Sequence, residues 1–301
     1  KIGIKTLRPF KINKDIRNNP RPFIIEAMTY RVRGHEESSG TKYYPEGVQD
    51  LWGEKDPVLN YELFLKESGV LNEKEEEEIK ESFRNNIQQS FDIAQNEDVI
   101  DSTEEKEESD VFLSFQQNVI SPQGETKELR FIDAISEGLN QSMVKYPELV
   151  LMGQDIAEYG GAFKVTEGLV DVYGKERVRN TPLCESAIVG AGLGLSINGM
   201  KAMVEMQFAD FVTCGFNQIV NNLAKIYWRW GQNADVVIRM PTGAGSGAGP
   251  FHSQSNEAWF FHTPGLKIVY PSNPVDAKGL LNASIEDPNP VLFFEHKYLY
   301  R

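Results

Sequence analysis

The stretch TPLCESAIVGAGLGLSINGMKAMVEMQFADF, residues 181–211, decides how the chain reads. An isolated acid, Glu185, stands between a polar strand end and a small, apolar, glycine-rich helical pattern. Ala187, Ala191, Gly192 and Gly194 would let that helix approach another backbone or a flat ligand closely. Residues 202–206 (AMVEM) read as a buried strand, followed at once by Gln207, Phe208 and Phe211. A carboxyl group at the mouth of an apolar helix is costly to bury ionised, which poises it to share a proton with a ligand nitrogen. On spacing alone the simpler reading is a helix cap, because negative charge is favoured at a helix start.

Working outward, regular alternation surrounds this stretch. Strand patterns at 149–152, 178–181, 235–240, 267–270 and 291–295 alternate with helical patterns at 129–143, 165–173, 213–230 and 274–286. Such alternation predicts an α/β fold, a largely parallel sheet flanked by helices. Residues 97–110 contain eight acids against the single base Lys106 and almost nothing to bury, the signature of an exposed, poorly ordered linker. Next to it, residues 111–115 (VFLSF) can dock locally. The expected division is 1–96, an acidic linker over 97–127, and 128–301. In the first part, 22–28 (PFIIEAM) predicts a strand leading to Arg31, Arg33 and His35, an anion site at a strand exit or a solvated basic loop. Asp56-Pro57 predicts a capped helix stopping at Gly69, and a longer helix follows from Asn72 with Ile79, Phe83, Ile87, Phe91 and Ile93 as its stripe.

Composition bounds the function. The 301 residues are 40% hydrophobic and 25% charged, the balance of a soluble globular chain. A net charge of −13 argues against nucleic acid or an anionic membrane as partner. No run of eighteen apolar residues occurs, and the first fourteen residues lack the apolar core of a signal peptide. Cys184 and Cys214 lie in apolar contexts, which fits buried thiols in a reducing, cytoplasmic setting. The glycine tract 243–249 follows a strand but fits neither GxGxxG nor a P-loop, so it reads instead as a mobile loop carrying His252 to a pocket as a proton donor. His262 and His296 lie near core segments and read as structural.

TPLCESAIVG, EMQFADF, NQIVNNLAK, HSQSNEAWFFHTPGLKIV and AKGLLNASIEDPNPVLFFE together resemble the pyrimidine-binding domain of the β subunit of thiamine diphosphate-dependent 2-oxo acid dehydrogenases. RPFIIEAMTYRVRGHEESSG, on to about residue 94, is similar to the C-terminal end of the α subunit. The resemblance implies a thiamin-diphosphate-binding fold with an α-subunit tail, an α–β fusion that is a piece of a longer polypeptide. It also implies roles. Glu185 would hold N1′ of the cofactor's aminopyrimidine and favour its imino form. Leu183, Gln207 and Phe211 would contact that ring, His252 would serve proton transfer and acyl delivery, and His35 would lie near the diphosphate and substrate. A candidate potassium site would use the Val236 and Ser284 carbonyls with Asp287 and Asn289. Mg²⁺ would be held outside this segment, because the family's Gly-Asp-Gly motif does not occur here. Glu36 stands where animal enzymes carry a regulatory serine, which argues against kinase control there.

The implied activity is oxidative decarboxylation of a 2-oxo acid, with the acyl group passed to lipoyl-lysine of a partner acyltransferase by a homo-oligomer. TPLCE, QFADF and HSQS look closer to the branched-chain enzymes, those acting on 3-methyl-2-oxobutanoate, than to the pyruvate or acetoin ones. The contrasting reading is a non-catalytic scaffold that docks a lipoyl-bearing partner.

Overall fold

The computed structural model describes residues 14–301 apart from 22, 23, 25, 37, 118, 122 and 246. The chain divides into two compact units, one ending at Ile100 and the other spanning Asp101–Arg301. Among the described residues no helix is long and apolar enough to cross a membrane.

The first unit is helical. Helices α1 (Val48–Gly53), α2 (Pro57–Glu67) and α3 (Glu73–Asn96) follow in order. The Asp56 carboxylate accepts from the N–H groups of Val58 and Leu59, with Pro57 opening α2. Gly69 takes the left-handed φ of 68° just past the end of α2. Asn72 and Glu75 form a reciprocal capping box at the start of α3. The expected strand at 22–28 does not form among its described residues, and Pro22, Phe23 and Ile25 lie outside them. A strand needs a neighbour to take its hydrogen bonds, and the described residues of the first unit form no other strand. Just beyond the stretch, the Tyr44 hydroxyl donates to the carbonyls of Arg31 (3.0 Å) and Arg33 (2.8 Å), and Gln49 Nε2 to that of Val32 (2.9 Å).

The second unit opens with α4 (Glu104–Val111), capped by the Thr103 hydroxyl. The acidic stretch is exposed as expected, but its second half is helical rather than unstructured, since a capping threonine and first-turn acids suit a helix start. Beyond it come α5 (Phe131–Lys145), β1 (Leu149–Gly153), α6 (Leu169–Tyr173), β2 (Val178–Asn180), α7 (Glu185–Ile197) and β3 (Lys201–Glu205). The remaining elements are α8 (Ile226–Trp230), β4 (Val236–Thr242), β5 (Lys267–Val269), α9 (Pro274–Glu286) and β6 (Val291–His296). Between β3 and α8 the expected single helix is broken into a 3₁₀ segment, Ala209–Gly215, and a π-helical turn, Gln218–Leu223.

All six strands are parallel, in the order β2-β1-β3-β4-β6-β5. Side chains alternate between two cores. Leu149, Leu151, Met203, Val237 and Phe293 pack against α5 and α9 on one face. Val150, Met152, Val204, Ile238 and Phe294 pack against α7 and the helical turns that follow β3 on the other. Gly192 brings α7 onto the sheet: a Cβ there would lie 3.1 Å from Val204 and 3.3 Å from Val236.

Candidate active site

The chain leaves β1 for β2 on one side and returns to β3 on the other, so the strand order reverses at β1. Crevices outside the carboxyl ends of strands at such a reversal are where open α/β sheets bind ligands. Gly153 of β1 stands level with Asn180 of β2 and Glu205 of β3, so the segments leaving the three strands emerge side by side.

Glu185 is the first residue of α7, but it is not the cap. Cys184 occupies that position without a side-chain cap bond. The Glu185 Oε1 atom instead accepts from Nε2 of Gln154 (3.0 Å), the residue just after β1. Gln154 is buried, and its Oε1 has no partner among the described residues. Asp155, next in line, holds a left-handed φ of 57° and accepts weakly from Gln207 Nε2 (3.4 Å). A non-glycine residue in that region is a local strain of the kind found at functional sites. After Gln207, the Phe208 ring meets His252 edge-on at 4.8 Å, and Phe211 meets the same histidine at 5.6 Å. Glu185, Gln207, Phe211 and His252 are thus joined in one run along the sheet edge through Gln154, Asp155 and Phe208. An open depression of about 590 Å³ lies at the α7 end of this run, lined by Cys184, Glu185, Ser186, Ala187, Gly190, Cys214 and Gln218.

The other expected residues are placed as follows. Glu185 is half-buried at the rim of this depression, not sunk in an apolar mouth. Leu183 points outward, 82% exposed. Cys214 is exposed, not buried, and both cysteines are free. His262 is exposed, whereas His296 is structural, its Nδ1 accepting from Tyr298 N (3.2 Å). His35 belongs to the first unit and is exposed there. Of the residues of the candidate potassium site, Val236, Ser284, Asp287 and Asn289, the last two already have partners within the protein. Asn289 pairs with both backbone groups of Leu113 (2.8 and 3.0 Å), and Asp287 holds Lys267 Nζ (2.5 Å) and the Asn289 amide (2.9 Å). Both side chains are committed, the positive charge comes from Lys267, and the turn anchors the 111–113 segment.

Beneath the edge lies a charge cluster with no local signal in the sequence. Arg239 of β4, 1% exposed, bonds Glu205 of β3 and is bidentate to Glu295 of β6 (2.5 and 2.9 Å). The Tyr300 hydroxyl also donates to Glu295 (2.5 Å). Burial raises the Glu205 pKa, with Arg239 opposing. Burial also works against charge on Arg239, but Glu295 and Glu205 outweigh it and hold the guanidinium above its ordinary range. Gln154, Asp155 and Phe208 were legible only as residues just past strand ends, a position that itself points to ligand contact.

Residues 127–301 match the family of the transketolase pyrimidine-binding domain, and residues 11–102 match the dehydrogenase E1 component family. Among curated proteins, the 2-oxoisovalerate dehydrogenase subunit beta of Bacillus subtilis (strain 168) is 47% identical over 175 residues, covering 58% of this chain and 54% of the relative. The mitochondrial 2-oxoisovalerate dehydrogenase subunit beta of Dictyostelium discoideum is 47% identical over 181 residues, 59% of this chain and 49% of the relative. The mitochondrial pyruvate dehydrogenase E1 component subunit beta-1 of Oryza sativa subsp. japonica is 41% identical over 176 residues, 58% of this chain and 47% of the relative. The chain therefore spans about half the length of the curated relatives it matches.

Proposed function

Because the chain belongs to the transketolase pyrimidine-binding domain family and carries a dehydrogenase E1 segment ahead of that domain, we propose that it is part of a thiamine diphosphate-dependent 2-oxo acid dehydrogenase in which Glu185 activates the cofactor. The observation that carries this reading is the Glu185 carboxylate, excluded from capping and held by Gln154 at the sheet's reversal point. When bound, thiamine diphosphate supplies the nucleophilic carbon and the electron sink that decarboxylation needs.

The residues fit the pyrimidine half of that cofactor. Among the described residues Glu185 is the one carboxylate lining the depression, and it would exchange a proton with a ring nitrogen. Gln154 orients it, and its free carbonyl oxygen is an acceptor for an amino group. Phe211 offers an aromatic face and Gln207 a polar edge. His252, its Nδ1 buried without a partner among the described residues, is positioned to hold or release a proton near the substrate. Diphosphate and Mg²⁺ are assigned to a partner domain, with His35 as this chain's contribution there. Among the described residues no His, Cys, Asp or Glu group has the makings of a metal site.

We take the substrate to be a branched-chain 2-oxo acid and the acyl acceptor to be a lipoyl-bearing acyltransferase, on the likeness to the 2-oxoisovalerate relatives. The pyruvate dehydrogenase relative supports pyruvate as the second reading. Exposed Leu183 and Phe251, adjacent in the chain to Cys184 and His252, support association into a homo-oligomer. The free thiols favour a reducing compartment, the cytoplasm.

The test is calorimetric titration of the full-length protein with thiamine diphosphate and Mg²⁺, paired with turnover on 3-methyl-2-oxobutanoate and pyruvate. Saturable binding with preference for the branched acid is expected. Absence of binding would sink the catalytic reading and favour a scaffold, and preference for pyruvate would replace the substrate.

A further inference from the structure

The loop that carries His252 is stitched down at one point. Gly243 N (2.9 Å) and the Thr242 hydroxyl (3.0 Å) both donate to the Gln254 carbonyl, so the two ends of the loop meet at the end of β4. From the other side Gln254 donates through its backbone N (3.1 Å) and its Nε2 (3.0 Å) to one oxygen, Oδ1 of Asp210. Asn256 Nδ2 adds a bond to the neighbouring Ala209 carbonyl (2.8 Å). Asp210 is 6% exposed and stands next to Phe211 in the 3₁₀ segment. One short turn therefore carries an aromatic ring that meets His252 and the carboxylate that anchors the loop two residues past that histidine.

Lys297, also 6% exposed, lies behind this turn with its Nζ 5.2 Å from the centre of the Phe208 ring. Neither Lys297 Nζ nor Asp210 Oδ2 has a hydrogen-bond partner among the described residues. Burial lowers the Lys297 pKa, and the negative charge of Asp210 opposes that fall. A buried carboxylate is tolerated only with hydrogen bonds and a compensating charge. Gln254 supplies the bonds.

We propose that Asp210 is a positioning residue for His252, latching the loop through Gln254. The proposal rests on the proton-transfer role given to His252 above. Removing the latch frees the loop to place the histidine away from Phe208 and Phe211. Charge-assisted bonds are roughly twice as strong as neutral ones, so the carboxylate cannot be replaced without loss.

The experiment uses the full-length protein with saturating thiamine diphosphate and Mg²⁺, comparing Asp210→Ala, Asp210→Asn, His252→Ala and the Asp210→Ala/His252→Ala double variant. Amide hydrogen exchange over 243–256 should quicken about 10- to 100-fold in Asp210→Ala while the strand peptides stay protected. Turnover should fall toward that of His252→Ala with KM little changed, and the double variant should be no slower than His252→Ala alone. Asp210→Asn keeps an oxygen for both Gln254 donors and should recover part of the protection. Unchanged loop exchange in Asp210→Ala, or additive losses in the double variant, overturns the proposal. If Asp210→Ala does not fold, Gln254→Met removes one of the two bonds without touching the buried carboxylate, and unchanged exchange there overturns it equally. Wild-type turnover in His252→Ala refutes the role of the histidine itself, and the exchange data then still decide whether the latch exists.

Discussion

Replacing Glu185 by Gln separates a catalytic acid from a structural one. The substitution leaves an amide oxygen to accept from Gln154 Nε2, now at 3.0 Å from the carboxylate, so the contact persists in neutral form. Neutral hydrogen bonds are worth roughly half of charge-assisted ones, and a first-turn acid contributes about 0.3–1 kcal/mol through the helix dipole. With Cys184 already in the cap position, no cap is lost. The stability loss should then be about 1–2 kcal/mol, a fall in Tm of roughly 2–8 °C for a unit of this size. An amide hydrogen-bonds but does not titrate, so any step that needs a proton passed through residue 185 loses roughly 10²- to 10⁴-fold. The assay is 2-oxo acid-dependent reduction of an artificial electron acceptor by the full-length protein with saturating thiamine diphosphate and Mg²⁺, with a thermal melt on the same samples. Near-wild-type turnover would refute the reasoning, because the geometry would then be that of a helix start and nothing more.

The remaining predictions concern the scaffold. Arg239→Met should destabilise the second unit by about 3–5 kcal/mol in chemical denaturation, because it strands Glu205 and Glu295 in the core without their partner; a loss below about 1 kcal/mol would show that the cluster relaxes. Burial raises the Asp235 pKa from 3.8 to about 6 against the pull of Lys201. The folded state thus favours its protonated form, and this group's contribution is full below about pH 4 and fades as pH rises through about 6, by roughly 3 kcal/mol in all. Asp235→Asn should flatten that part of the stability–pH curve, and an unchanged slope between pH 4 and 6.5 would contradict the assignment. Limited proteolysis should cut first within 97–103, exposed and without regular structure, and spare the capped helix at 104–111; early cleavage inside β3 or α7 would contradict the division into units.

Where local chemistry sufficed, the sequence was legible. The four inner strands, β1, β3, β4 and β6, are short, mainly apolar runs buried along nearly their whole length, and such runs stand out whatever their neighbours. The Asp56-Pro57 and Asn72 helix starts carry their own capping groups, so they too could be read without tertiary context. The 22–28 stretch failed for the opposite reason: its apolar pattern is real, but among the described residues the first unit offers no neighbouring strand to take its hydrogen bonds. At the site, Glu185, Gln207, Phe211 and His252 were visible as residue types near strand ends. Their connection was not, because Gln154 lies 31 residues before Glu185 and Asp155 52 residues before Gln207. The partners of Asp287 and Asn289 were not legible either, because oxygen-bearing turn residues look alike in sequence whether they hold an ion, a lysine or a backbone.

The buried Glu205–Arg239–Glu295 cluster bears on why the site can be assembled at all. Well-packed apolar side chains would be about as stable there, so stability alone does not account for three charges under the sheet edge. Register does. Glu205 stands opposite Arg239 across β3 and β4, while Glu295 pairs two residues further along β4, at Pro241. A slip of one residue in any of these strands would turn its charged side chain to the opposite, apolar face, where nothing answers it. Gln207, which meets Asp155, leaves from the end of β3, and the His252 loop leaves from the end of β4. Fixing these strands against one another therefore fixes where those segments begin. The remaining freedom lies in the loop itself, which is why the bonds from Asp210 to Gln254, rather than the sheet, decide where the histidine stands.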